Sequence, residues 1–299
     1  MSSWPEPLAR AYAACERLAQ SHYENFPVAS RLLPATMRPH VAAVYAFART
    51  ADDIADEGVA SPASRRTSLQ ALGQQLRDAV AAEAEQRPIA VADPAMSLRA
   101  LAHSMRTCDL PMSLFDDLLS AFGQDTTTTR YASWTDLFDY CRRSANPVGR
   151  LVLRIAGIRD ARLDASSDAL CTALQLTNFW QDLGRDWKAG RLYVPKEVQE
   201  AHGASEADLS EPTLSHAWVR ALASCAAVTD EQFARGRSVC DGVPGRLRIE
   251  LRLTWLGGHL ILERVRAQGA HLPSTRPSIG HRDVPRLAWH LLCWKGAAR

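Results

Sequence analysis

The sequence predicts an all-α protein, a single domain over residues 1–299 whose long helices pack around a central space. Three observations lead there. Ala, Leu and Arg, all strong helix formers, recur along the whole chain. No alternation of period two runs beyond a few residues, so no sheet is expected. Prolines fall mostly where helical patterns begin or end, as proline should.

The elements follow in order. Helices are expected over about 8–20, 37–56 and 63–83, with the second ending in a run of aspartates. Shorter ones are expected near 96–106, 111–122 and 134–143. An apolar segment over 148–158 and a helix over 167–186 come next. Two long helices, opened by Pro212 and Pro244, reach about 237 and 267, and a last one covers 284–294. No repeat and no Gly/Ser-rich linker divides them, which is why one bundle is expected.

Bulk properties exclude several classes. With 35 Lys and Arg against 33 Asp and Glu, no strong basic field argues for nucleic acid. The seven cysteines are odd in number and form no Cys-x-x-Cys pair, so neither a zinc site nor a disulfide framework is expected, and a reducing cytoplasm fits. The first residues lack the basic and apolar regions of a signal peptide. No stretch approaches the roughly 18–20 apolar residues of a membrane span.

Two acidic constellations stand out. In Ala51-Asp52-Asp53-Ile54-Ala55-Asp56-Glu57, Asp52 and Asp56 are four apart and share a helix face. Like charges so placed repel, and a cation between them removes the problem. In Gln175-Leu-Thr-Asn178-Phe-Trp-Gln181-Asp182-Leu-Gly-Arg185-Asp186, Asn178, Asp182 and Asp186 step by four along one stripe, with Gln175 a turn earlier. Oxygen-only ligands suit Mg²⁺ far better than Zn²⁺. Magnesium commonly takes one or two carboxylates, keeps waters, and completes its shell with phosphate oxygens. Acidic residues at i,i+4 also occur on plain solvated faces, and Asp182 and Asp186 can simply bracket Arg185. Two such sets on separate helices tilt the reading toward a diphosphate held by metal ions.

These segments resemble the squalene/phytoene synthases. Tyr45-Ala-Phe-Ala-Arg49-Thr-Ala-Asp52-Asp53-Ile-Ala-Asp56 is similar to the family's first aspartate motif, and Gln175 to Asp186 to its second. Tyr140-Cys141-Arg142-Arg143-Ser144-Ala145-Asn146-Pro147-Val148-Gly149 resembles the central segment, and Arg191-Leu-Tyr-Val-Pro195 the run after the second motif. The resemblance covers roughly 22–282. His22-Tyr23-Glu24-Asn25-Phe26-Pro27, with the second motif, looks like the hydroxysqualene synthase branch of bacterial hopanoid biosynthesis. Tyr23 and Asn25 stand where serines are usual, and Gln181 where an arginine is often found. Phosphate contacts at those positions are therefore not carried over.

The resemblance implies an isoprenoid synthase-type bundle that ionises presqualene diphosphate, with the cation captured by water. It implies two or three Mg²⁺ held by Asp52, Asp56, Asn178, Asp182 and Asp186, the four aspartates being catalytic. It places His22, Tyr45, Arg49, Tyr140, Gln175, Asn178 and Arg191 against the substrate. Arg49 can equally pair with Asp52 or Asp53 along its own helix. Lys196 reads as an exposed lysine. Phe26, Phe47, Tyr140, Phe179 and Trp180 are candidates to wall the cavity or to serve as plain core. Gly257-Gly258 is no nucleotide fingerprint and reads as room for close helix packing. NADPH is not expected. Hand-off from a presqualene diphosphate synthase is.

Alternatives in the same frame are head-to-head prenyl coupling to presqualene diphosphate, squalene or phytoene, and a terpene cyclase. A helical interaction protein with solvated acidic faces is the non-enzymatic one. The final helix, Val284 to Lys295, mixes Trp, Leu and basic residues. It reads either as peripheral contact with the inner face of the membrane or as ordinary packing.

Overall fold

The computed structural model describes residues 4–21, 32–85 and 93–294. Among them the chain forms α-helices and short 3-10 turns, and its one β-type feature is an isolated parallel bridge between Arg130 and Leu192. The helices are α1 (Glu6–Ser21), α2 (Arg38–Asp56), α3 (Pro62–Ala84), α4 (Asp93–Cys108), α5 (Met112–Asp125), α6 (Trp134–Ser144) and α7 (Asn146–Ile155). They continue with α8 (Ala161–Gln181), α9 (Leu183–Lys188), α10 (Lys196–His202), α11 (His216–Gly242), α12 (Gly245–Gln268) and α13 (Val284–Leu292). The all-α expectation is met. No helix among the described residues is long and apolar enough to cross a membrane.

The chain divides into two compact units. The first comprises Met1–Thr127 and Pro147–Asp160. Here α2 packs against α1, α3, α4 and α5. Phe47 on α2 meets Phe115 edge to face at 5.4 Å, and both are fully buried with Leu76, Leu101 and Leu118. The start of α3 is set by its residues. The Ser61 hydroxyl accepts from the Ser64 amide, and Pro62 takes a first-turn position that needs no donor.

The second unit comprises Thr128–Asn146 and Ala161–Arg299. In it α8 packs against α6, α11 and α12. Trp180 is fully buried and donates its Nε1–H to Thr229 of α11 at 2.9 Å. Gly258 lets α12 close on α8. A Cβ there would lie 2.4 Å from Leu174 and 3.0 Å from Phe233, so the packing role read for the Gly257-Gly258 pair holds at the second glycine.

Two expectations need correction. The helix expected over 167–186 is two helices, α8 and α9, because Asp182 between them leaves helical geometry at φ −96°, ψ 9°. The turn stays hydrogen-bonded, the Asp182 amide donating to Asn178 O and the Asp186 amide to Asp182 O, both at 2.9 Å, so the interruption is local to Asp182. The segment after Pro195, where no helix was expected, forms the short α10.

Candidate active site

The first acidic set sits at the C-terminal end of α2. About half of that helix is buried, while Tyr45, Arg49 and Asp52 are half-buried on one face and Asp56 is exposed. Asp52, Asp53, Asp56 and Glu57 crowd the negative end of the helix dipole, where carboxylates are disfavoured and cations attracted. Two arginines offset this. Arg49 donates to Asp52 Oδ2 at 3.2 Å and to Glu57 Oε1 at 3.1 Å, and its guanidinium lies 2.6 Å from Asp53 Oδ1. The intrahelical reading of Arg49 is thus the arrangement seen.

Arg65 on α3 was not singled out from sequence. It donates to the backbone carbonyls of Ile54, Gly58 and Ala60, at 3.2, 2.8 and 3.1 Å, and to that of Ala55. One guanidinium therefore satisfies orphan carbonyls at the helix end and ties down the loop behind the carboxylates.

The second set lies along α8. From Ser166 to Gln181 this helix is buried except for a half-buried stripe that includes Asp168, Cys171, Gln175 and Asn178. Asp182 and Asp186, also half-buried, continue it past the break. Asp182 is held by Arg276 through a two-pronged pair, Nε to Oδ1 at 2.5 Å and an NH2 donor to Oδ2 at 3.0 Å. The bracketed Arg185 is more distant, 3.9 Å from Asp182.

Arg276 belongs to a strap over residues 273–283 that closes on this motif. Gln181, buried, donates its side-chain amide to the Pro277 carbonyl at 2.6 Å. Gly184 lies against Pro273, where a Cβ would sit 2.4 Å from the carbonyl oxygen. Gln181 thus fastens the strap.

Four aromatic rings gather in the same unit. Phe179 stacks on Tyr193 at 3.8 Å with planes 7° apart, and Tyr140 and Tyr131 lie 6.4 and 5.7 Å from Tyr193. Of the cavity-wall candidates, Tyr140 and Phe179 join this cluster and Trp180 lies 6.4 Å from Phe179; all three, like Phe47, are buried. Tyr193 was missed as an aromatic partner, although its run Arg191 to Pro195 was noted. Arg191 lies five residues past the end of the second motif, its amide donating to Asp186 O at 2.7 Å. Lys196 is exposed and lies 3.6 Å from Glu200, as its sequence reading anticipated. His22, Tyr23, Asn25 and Phe26 lie outside the described residues.

The donors can be tested against a divalent ion. Among the described residues no three His, Cys, Asp or Glu side chains form a ready metal cage. What is present is oxygen donors in small groups at the negative ends of α2 and α8, with arginine already drawn to both. That fits Mg²⁺, which needs one or two carboxylates when waters and phosphate oxygens complete its shell.

The squalene/phytoene synthase family profile matches residues 19–283. The chain is 41% identical over 190 residues to the hydroxysqualene synthase of Zymomonas mobilis, an alignment covering 62% of this chain and 59% of that protein. It is 38% identical to the hydroxysqualene synthase of Rhodopseudomonas palustris over 72% of this chain and 69% of that one. Among solved structures, the squalene synthase HpnC from Alicyclobacillus acidocaldarius superposes with a TM-score of 0.80 at 40% identity, covering 89% and 97% of the two chains. A ligand-bound dehydrosqualene synthase gives 0.83 at 24% identity over 98% and 100%, a likeness of fold. On these matches the chain belongs to the squalene/phytoene synthase family, a family of isoprenoid synthases.

Proposed function

We propose that the protein converts presqualene diphosphate and water into hydroxysqualene and diphosphate, with Mg²⁺ as cofactor and without NADPH. The observation that carries this reading is the pair of oxygen-rich sets, each at the negative end of a long helix. Support comes also from relatives at 35–41% identity that are named hydroxysqualene synthase. The reading requires both acidic sets to serve one diphosphate, so that the whole chain works as a single catalytic domain.

On this reading Asp52 and Asp56 would hold metal, as would Asn178, Asp182 and Asp186. Bound Mg²⁺ supplies Lewis-acid neutralisation of the charge that develops on the leaving diphosphate. The chain's own groups do the rest. Arg49 and Arg191 offer forked donors to phosphate oxygens, and Tyr45 and Gln175 line the substrate. The scissile C–O bond breaks with its electron pair staying on diphosphate. The carbocation left behind rearranges beside the faces of Tyr140 and Phe179, which favour positive charge. Water adds to it and loses a proton, giving the alcohol. Exclusion of bulk water until that point keeps the cation from being captured early. A partner enzyme that makes presqualene diphosphate supplies the substrate.

The test is product analysis after incubation with presqualene diphosphate and Mg²⁺, with and without NADPH, beside farnesyl and geranylgeranyl diphosphate controls. Hydroxysqualene independent of NADPH is expected. Squalene formed only with NADPH and no alcohol in either case, or coupled product from the shorter diphosphates alone, overturns the proposal.

A further inference from the structure

The helix α13 carries apolar residues on its outward face as well as on the face that packs against the protein. Its inward face is Leu287, His290 and Leu291, half-buried, continued by Trp294, which is buried. Its outward face is Val284, Pro285, Ala288, Trp289, Leu292 and Cys293, all exposed. Spacings of one, four, five, eight and nine from Val284 place these six on a single stripe. Val284, Trp289 and Leu292 are 57%, 65% and 82% exposed, among the few large hydrophobic side chains left in water.

The helix is not a loose end. Before it, Asp283 is gripped by Arg264 and accepts from the Gly280 amide at 2.8 Å. After it, Trp294 donates Nε1–H to Asp241 at 2.9 Å and lies 3.9 Å under the Arg237 guanidinium. Arg237 also donates to the Trp294 carbonyl at 2.6 Å. Both ends are fixed to the unit, so the apolar stripe is presented to the outside and held there. Scattered exposed hydrophobics need no explanation, but a continuous row on a fixed helix marks a surface that another phase or molecule covers.

Charge identifies the occupant. From Arg276 to Arg299 the chain carries five Lys and Arg against one acid, Asp283; Asp283, Arg276 and Arg286 are each paired within the protein, which leaves Arg282, Lys295 and Arg299 as the basic residues in sequence around α13, against a whole-chain balance of 35 to 33. Arg282 is exposed beside α13, and Arg286 on α13 is half-exposed while pairing with Glu263 at 2.7 Å. A second copy meeting this face with its own would set basic residues against basic residues. An anionic lipid surface matches the apolar stripe and the charge together. Trp favours the headgroup boundary, and each basic residue near such a surface strengthens binding about fivefold.

We infer that α13 is a membrane-interface helix that lies in the headgroup region of an anionic bilayer with Val284, Trp289 and Leu292 inserted. This rests on α13 and its surroundings and stands independently of the reaction proposed above. The experiment is vesicle flotation of the full chain, comparing phosphatidylcholine alone with phosphatidylcholine containing phosphatidylglycerol. The wild type is expected to float with the anionic vesicles, and less so as salt is raised. Trp289→Glu combined with Leu292→Glu lowers binding by at least about tenfold while the thermal melt is unchanged. Should that pair melt early, Trp289→Ser with Leu292→Ser is the substitute, with the same expected loss. The inference is overturned if the wild type stays at the bottom with anionic vesicles at low salt, or if both variants float as well as it does. It is equally overturned if sedimentation shows a dimer that the same substitutions dissolve without any vesicle binding.

Discussion

The two acidic regions carry similar side chains but are held in different ways. The first is kept by contacts local in sequence. Arg49 reaches carboxylates three, four and eight positions on, and Arg65 caps carbonyls five to eleven positions back. The second is kept by residues about ninety positions away, Arg276 on Asp182 and Pro277 on Gln181. Locally held carboxylates tolerate change nearby, because each contact is partly solvated and replaceable. A site closed by a strap depends on backbone fit, which one atom can upset.

The harshest test of this contrast removes the carboxylates themselves. Asp182→Asn with Asp186→Asn, and separately Asp52→Asn with Asp56→Asn, should each lower kcat/KM for the proposed reaction by about 10³-fold or more, about 4 kcal/mol, measured by diphosphate release. Turnover retained in either pair would break the proposed equivalence of the two regions.

Next comes the strap. Gly184→Ala forces a methyl group onto the Pro273 carbonyl and should cost about 2–3 kcal/mol, read as a lower Tm with faster amide exchange over 273–283. If exchange there is unchanged, the second region does not depend on backbone fit. Arg65→Ala should cost about 1–2 kcal/mol and speed amide exchange over 54–60, with no effect on the strap.

The first region also has a pH sensitivity at the far end of α2. His40 and Tyr12 are buried with Ser104, and the Tyr12 hydroxyl lies 2.8 Å from His103 Nδ1 and 3.2 Å from His40 Nδ1. Burial, and then the neighbouring His103, hold His40 below the usual histidine range; burial does the same for His103, while Glu83 opposes and Arg106 adds to it. Both are therefore more readily protonated in the unfolded chain. Their stabilisation is full above about pH 6.5 and falls as pH drops below that, until the lowered folded values are reached. A loss of about 1 kcal/mol is expected between pH 7 and 5.5, mostly from His40, since His103 is partly solvated. Thermal melts of wild type and His40→Asn across that range measure it, and a variant as pH-sensitive as wild type would refute the assignment. The smallest effect belongs to Arg49→Ala, about 0.5 kcal/mol of stability, because its pairs are part-exposed neighbours on one helix.

How much was legible in the residues follows the same division. Helix positions for α1 to α6 came within a few residues, because prolines and helix-forming runs act locally. The face shared by Tyr45, Arg49, Asp52 and Asp56 follows from helical spacing alone, as does the stripe through Gln175 and Asn178. The interruption of the helix at Asp182 was not legible, since Leu183-Gly184-Arg185-Asp186 continues the same spacing. Nor was Arg276, whose partner depends on where a loop of little regular structure is led. Tyr193 was within a noted run, yet only folding brings it to 3.8 Å from Phe179.

By itself the sequence determined the helical class, the two acidic sets and the family resemblance, because periodicity and motif spacing act over one or two helical turns. The tertiary structure decided which cation each carboxylate meets, which aromatics gather around Tyr193, and which face of α13 is left to the outside. Those outcomes depend on residues brought together from tens of positions apart, and no local pattern encodes where such partners arrive.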